Sequence, residues 1–215
     1  MYQLYYFPNN ASLAPHFLLH HMGLTYDLVL VDTDLDVHKS PEYLKLNPVG
    51  RIPTLVDNGQ AIFESPAICI HLCEKHPEHQ LIPALGSVER PMFFQWLAYL
   101  NNTLQTDLLV RFYPHRHTND DKTIPNIVVA QDERIADALE IIDKQLMNNN
   151  YLIGDQISAC DYFLFMLTLW CMPIEKPPLT FANLGAYLKR LSSNKTIRAV
   201  CEIEEIDLAP FESYS

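Results

Sequence analysis

Two serines stand where helices are predicted to begin, Ser12 after the aromatic run Tyr2 to Phe7 and Ser65 directly after Glu64. A hydroxyl at that place suits two roles that spacing does not separate: a plain N-cap, or a donor that meets an anion at the positive end of the helix. Glu64 beside Ser65 adds a carboxylate that can accept from a cationic donor, and it equally reads as a surface glutamate beside a capping serine. Near Ser12, the phenols of Tyr5 and Tyr6 and the amide of Asn10 are rival donors, and strand alternation turns only one of the tyrosines to a given face. Farther on, Arg111, Tyr113, His115 and Arg116 crowd the end of a long helical pattern. That mixture suits a ligand with apolar and anionic parts, and it equally suits a helix C-terminus whose dipole favours cations.

Other chemistry is poorly supported. His16 and His20 lie four apart and His115 and His117 two apart, but neither pair has the further ligands of a zinc site, so no metal is expected. The five cysteines, Cys69, Cys73, Cys160, Cys171 and Cys201, are odd in number and form no CxxC pair. They read as small buried hydrophobes in a reducing cytoplasm, and Trp96 and Trp170 read as packing residues.

The 215 residues carry 26 acidic and 15 basic side chains, a formal net charge of -11. No broad field attracts phosphate backbones, so nucleic acid is not an expected partner, and an anionic ligand must rely on local donors. No basic stretch followed by an apolar run opens the chain, and no segment reaches the roughly 18 apolar residues of a membrane span. A cytoplasmic protein is expected, with no membrane partner.

The elements that must position these residues read as follows. Tyr2 to Phe7 is a strand, a helix runs from Ser12 to Gly23, and Tyr26 to Val31 is a second strand, which a right-handed crossover would set parallel to the first. After a polar stretch from Asp32 to Pro41, Pro53 to Val56 and Ala61 to Phe63 flank Asn58-Gly59, a strong hairpin signal. Ser65 to Lys75 has Ser at its start, Pro just inside and Lys at its end, and reads as a helix. From His76 to Ser87 two prolines, a glycine and polar residues mark a connection, and everything beyond looks helical: Val88 to Phe112, Asn126 to Asn149, Ser158 to Cys171, Phe181 to Leu191 and Lys195 to Glu204. Ser158 with Asp161 three places on, preceded by Ile157, reads as a capping box with a staple residue. The expected class is therefore α/β plus all-α, with a βαβ-ββα domain over 1–77, a linker over 78–87 and an all-helical domain over 88–215.

This order, with a proline before the third strand, resembles the cytosolic glutathione transferases, and residues match as well as order. Tyr5-Tyr6-Phe7-Pro8-Asn9-Asn10-Ala11-Ser12-Leu13-Ala14-Pro15 resembles the first strand, loop and helix start of bacterial, beta/theta-like members of the serine type. Leu46-Asn47-Pro48-Val49-Gly50-Arg51-Ile52-Pro53-Thr54-Leu55, Glu64-Ser65-Pro66-Ala67-Ile68 and Leu152-Ile153-Gly154-Asp155-Gln156-Ile157-Ser158-Ala159-Cys160-Asp161 resemble three further family segments, in the family's order.

The resemblance implies a thioredoxin-like first domain, glutathione as co-substrate, conjugation of its thiolate to small, largely apolar electrophiles, a detoxifying role and a homodimer. It implies Ser12 as the residue that stabilises the thiolate, with Tyr5 as its rival. It further implies Asn10, Lys39, Ile52, Pro53, Glu64 and Ser65 as glutathione contacts, a cis Ile52-Pro53 bond, and Arg111, Tyr113, His115 and Arg116 beside the second substrate. Lowering a thiol pKa by about two units requires roughly 2.7 kcal/mol of differential stabilisation, within reach of one charge-assisted hydrogen bond plus a helix dipole. Ala11 stands where many bacterial members carry cysteine, which argues against a mixed disulfide with the protein. A non-catalytic ligand-binding or protein-docking relative, and a glutathione-dependent disulfide or peroxide reductase, remain alternatives.

Overall fold

A computed structural model describes residues 1–212, so the last three residues of the expected second domain lie outside it. Strand β1 (Tyr2–Tyr6) leads through helix α1 (Leu13–His21) to β2 (Tyr26–Leu30), which pairs with β1 in parallel, Leu4 against Leu28. Strand β3 (Thr54–Asp57) lies antiparallel on the other side of β1, Leu4 against Leu55, and β4 (Gln60–Phe63) closes the order β2-β1-β3-β4. Asn58 and Gly59, both at positive φ (49° and 83°), make the tight β3–β4 turn that their types demand. Helix α3 (Ser65–Lys75) packs back on the sheet, with Ile68, Cys69, Leu72 and Cys73 buried.

The stretch read as a polar connection contains a short helix, α2 (Pro41–Leu44), whose Tyr43 N–H donates to the Ser40 hydroxyl at 3.2 Å. Four residues hold too little periodicity to show in the sequence; a cap, a proline at the first helical position and one buried side chain, Tyr43, make it.

The second half is helical: α4 (Arg90–Tyr99), α5 (Thr106–Phe112), α6 (Ile124–Leu146), α7 (Ala159–Trp170), α8 (Ala182–Ser192), α9 (Lys195–Ile203) and a last short helix, α10 (Ala209–Glu212). The single long helix expected up to Phe112 is instead α4 and α5 joined by a π-helical segment, Leu100–Gln105. None of the described helices is long and apolar enough to cross a membrane.

Helix α1 decides how the halves join. Its residues Leu13 through Leu19 are all buried, because the sheet and α3 cover one side while α7 and α9 cover the other. One hydrophobic cluster therefore runs from Leu4 and Leu55 through Phe17 and Leu18 to Phe163, Phe165 and Val200.

Where α7 begins, the expected Ser158–Asp161 cap is present in a specific form. The fully buried Asp161 carboxylate accepts from Ser158 N–H (2.7 Å), Ser158 Oγ–H (2.8 Å), Leu152 N–H (2.9 Å) and Tyr187 Oη–H (2.6 Å). Burial pushes its pKa up, and these donors pull against that shift. Asp161→Ala would leave four donors facing a void, so it is expected to cost about 3 kcal/mol or more in urea unfolding, with Asp161→Asn costing less because the shape and two acceptor lone pairs survive.

Candidate functional site

A groove of about 510 Å³ opens where the carboxyl end of β1, the chain before β3 and the start of α3 meet the helical half. The sheet side contributes Asn10 and Ala11, then Asn47, Val49, Arg51, Ile52 and Pro53, then Glu64 and Ser65, with Thr33 at the edge. The helical side contributes Asn101, Gln105, Thr106, Leu109 and Val110, then Tyr113, Arg116 and His117, and Trp170.

The segment before β3 is set by a few side chains. Asn47 is buried, takes the Val49 N–H on its Oδ1 (3.0 Å) and donates through Nδ2 to the Arg51 carbonyl (2.7 Å). That carbonyl also accepts from the Tyr43 hydroxyl (2.7 Å), whose pKa burial pushes up, so it remains a donor. Gly50 turns at φ +61°, and a Cβ there would stand 2.9 Å from Lys39 Nζ and 3.0 Å from the His38 carbonyl, so glycine is required. The Ile52-Pro53 bond is cis.

At the start of α3, Glu64 is exposed at φ +70°, a backbone region costly for a residue with a side chain. Ser65 follows at 4% exposure, and its Oγ has no oxygen or nitrogen partner among the described residues, though it lies beside the buried Cys69 thiol one turn on. A buried hydroxyl without a partner, on a groove wall and at the N-terminus of an eleven-residue helix, is a donor held ready for a ligand.

Ser12 is placed differently. It occupies the N-cap position of α1, yet it is fully buried and its hydroxyl does not cap the helix. Instead Ser12 Oγ donates to the Phe7 carbonyl (3.1 Å) and accepts the Phe7 N–H (3.4 Å), tying the end of β1 to the start of α1. The wall above it is formed by Asn10 and Ala11. Asn10 Oδ1 accepts from Ala11 N–H at 2.7 Å, so the polar atom left to the Asn10 amide is its Nδ2 donor. Tyr5 lies off the groove with its ring against Tyr43, centroids 5.9 Å apart. Lys39 also stands off the wall, its ammonium on the Gly50 carbonyl (2.8 Å).

Of the four residues expected beside a second substrate, Tyr113 and Arg116 line the groove, with the guanidinium 4.1 Å from the ring centroid. Arg111 turns away to pair with Asp132 (2.5 Å), and His115 meets only the edge of the Tyr113 ring. Reasoning from sequence missed Arg51, Asn101, Gln105 and Trp170. Asn101 and Gln105 reach the wall from the π-helical segment, which no periodicity announces, and Trp170 was assigned to packing although it is a groove residue.

All five cysteines are buried and unpaired, none lines the groove, and burial raises each thiol, Cys73 and Cys201 to about 12. Among the described residues no group of three or more His, Cys, Asp or Glu is arranged to hold a metal. A larger cleft of about 990 Å³ lies behind the connection between the halves, with Pro77, Ile82, Leu85 and Ile153 on its walls. Its Arg90 is already spent on Glu74 and on the Pro83 carbonyl (2.6 Å), and of the two it is the smaller groove whose lining residues include buried polar atoms without a hydrogen-bond partner among the described residues, Ser65 Oγ and Gln105 Oε1.

Comparison with known proteins places the chain among its relatives. The family description "Glutathione S-transferase, N-terminal domain" matches residues 1–74, and "Glutathione S-transferase, C-terminal domain" matches residues 104–195. The chain is 32% identical over 163 residues to glutathione S-transferase 3 of Zea mays, covering 72% of this chain and 69% of that protein. It is 25% identical over 204 residues to glutathione S-transferase GstA of Escherichia coli O157:H7, covering 94% and 98%. A sphingomonad glutathione S-transferase solved in complex with glutathione superposes with a TM-score of 0.82 at 26% identity, covering 95% of this chain and all of that one. Fold and sequence thus agree, and the chain belongs to the glutathione S-transferase family, a family of transferases.

Proposed function

We propose that the groove binds glutathione, ionises its thiol and directs the thiolate at small, largely apolar electrophiles. The observation that carries this reading is the partnerless, buried Ser65 hydroxyl at the N-terminus of α3, on the same wall as Ile52 and Asn10. Ser65 takes the γ-glutamyl carboxylate, and Glu64 accepts from the adjacent ammonium. The Ile52 main chain pairs with the cysteinyl amide in the manner of an added strand. The glycine carboxylate falls to Arg51, or to Lys39 beside the Gly50 carbonyl.

The sulfur then lies over the start of α1, where the helix dipole favours an anion. Asn10 Nδ2 is the donor that stands on the groove there. For Ser12 to act on the sulfur directly its hydroxyl would have to leave Phe7, so we assign it to holding the loop. Leu109, Val110 and Trp170 form an apolar wall for the electrophile, and Arg116 with His117 meets an anionic leaving group. A route through a mixed disulfide with the protein has no cysteine on the groove. In this reading the protein is a cytoplasmic homodimer with a detoxifying role, and exposed apolar side chains such as Phe63, Met92 and Phe94 are available to bury between subunits.

Immobilised glutathione followed by conjugation to an aryl halide tests the assignment. Asn10→Ala is expected to retain binding and to lower kcat by about 10 to 100 fold, the worth of one hydrogen bond to a charged sulfur. Ser12→Ala is expected mainly to destabilise the fold, by about 1 to 3 kcal/mol. A fast Asn10 variant beside a slow, stable Ser12 variant would return the role to Ser12, and no binding by the parent would end the proposal.

Ser65→Ala separates binding from chemistry. It is expected to weaken glutathione binding by about 10 fold or more in calorimetric titration, with little change in thermal midpoint, because inside the protein the hydroxyl has only the weakly bonding Cys69 thiol beside it.

A further inference from the structure

The loop that carries Asn10 is held by the other half of the molecule. Asn9 sits at φ +52°, in the left-handed region, which asparagine enters more readily than other residues that carry a side chain. Both of its main-chain groups are gripped: its N–H donates to Glu204 Oε2 (3.0 Å), and its carbonyl accepts from the Trp170 indole N–H (3.0 Å). Glu204 caps the end of α9 with its side chain wholly buried.

A buried carboxylate is costly unless its lone pairs are taken. Here its second oxygen, Oε1, accepts from His16 Nδ1 at 2.6 Å, and His16 Nε2 meets the Tyr26 hydroxyl at 3.1 Å. Because a carboxylate accepts, His16 Nδ1–H donates to Glu204, and Nε2 pairs with the Tyr26 hydroxyl. Burial and the charge of Glu204 both raise the Tyr26 pKa, so the hydroxyl keeps its proton. The chain Tyr26–His16–Glu204–Asn9 thus runs from β2 through α1 and α9 to the loop with every partner satisfied. The other titratable groups around it are Tyr6 from β1, His20 from α1 and Cys201 from α9.

We propose that Glu204 is a positioning residue for thiol activation: through Asn9, and oriented by His16, it holds the loop so that Asn10 meets the sulfur. This rests on the reading of the groove given above. Glu204 touches no ligand; it acts on geometry. Its removal should therefore slow turnover and raise the pH at which the bound thiol ionises, while the glutathione contacts at Ile52 and Ser65 persist.

The test uses the full chain with Glu204→Ala, Glu204→Gln and Trp170→Phe. Expected for the alanine variant are a fall of about 10 to 100 fold in kcat and a glutathione KM within about threefold of the parent. The Asn9 amide is expected to exchange its proton at least about 10 fold faster, while core amides in α7 stay protected. The glutamine variant, with Oε1 toward Asn9 and its amide toward the other His16 tautomer, should stay within about threefold of the parent in kcat. Trp170→Phe, which removes only the second grip on Asn9, should also speed Asn9 exchange, and it decides the matter if the alanine variant does not fold.

Unchanged kcat and unchanged Asn9 exchange in Glu204→Ala would overturn the proposal. So would an equal loss in the glutamine and alanine variants, or a parallel loss of kcat and glutathione affinity in a folded protein. A parent that binds glutathione yet conjugates nothing would refute the transferase reading alone; Asn9 exchange and the ultraviolet absorbance of the bound thiolate would then still decide the role of Glu204.

Discussion

Helix α1 must be buried along its whole body and yet open at its N-terminus onto a groove. The sheet and α3 enclose it on one side and α7 with α9 on the other, so its residues are apolar or, like His16, fully satisfied. That enclosure makes the two halves one hydrophobic cluster. It also places the mouth of the groove at the seam, where the loop before α1 donates a hydrogen bond to a residue more than 190 positions away. A site at such a seam inherits its precision from packing, because the loop has no element of its own to hold it.

The groove walls divide the labour in a way that follows from what each element can offer. The chain before β3 presents main chain, fixed from behind by Asn47, Tyr43 and the turn at Gly50. The start of α3 presents a hydroxyl with no oxygen or nitrogen partner among the described residues. The helical half presents apolar side chains and cations, with the π-helical segment carrying Asn101 and Gln105 onto the wall. A tripeptide with charged ends suits the first two surfaces, and an apolar electrophile suits the third.

Much of this was legible in the residues. The β3–β4 turn followed from Asn58-Gly59, the limits of α3 from Ser65, Pro66 and Lys75, and the start of α7 from Ser158 and Asp161, because each signal is local and each residue type answers a backbone need. Helix α2 and the π-helical break were not legible: one is too short to show a period, and the other keeps helical composition while changing only its hydrogen-bond pattern.

The same division applies to the site. Local chemistry in the sequence singled out Asn10, Glu64 and Ser65, since turns and helix starts are properties of short segments, and the family resemblance added Ile52 and Pro53. Only the tertiary structure decided which way the side chains went: Ser12 inward to Phe7, Arg111 to Asp132, Trp170 onto the groove and Glu204 across the seam to Asn9. Those directions depend on neighbours supplied by distant parts of the chain, and spacing along a sequence carries no record of what packing will bring alongside.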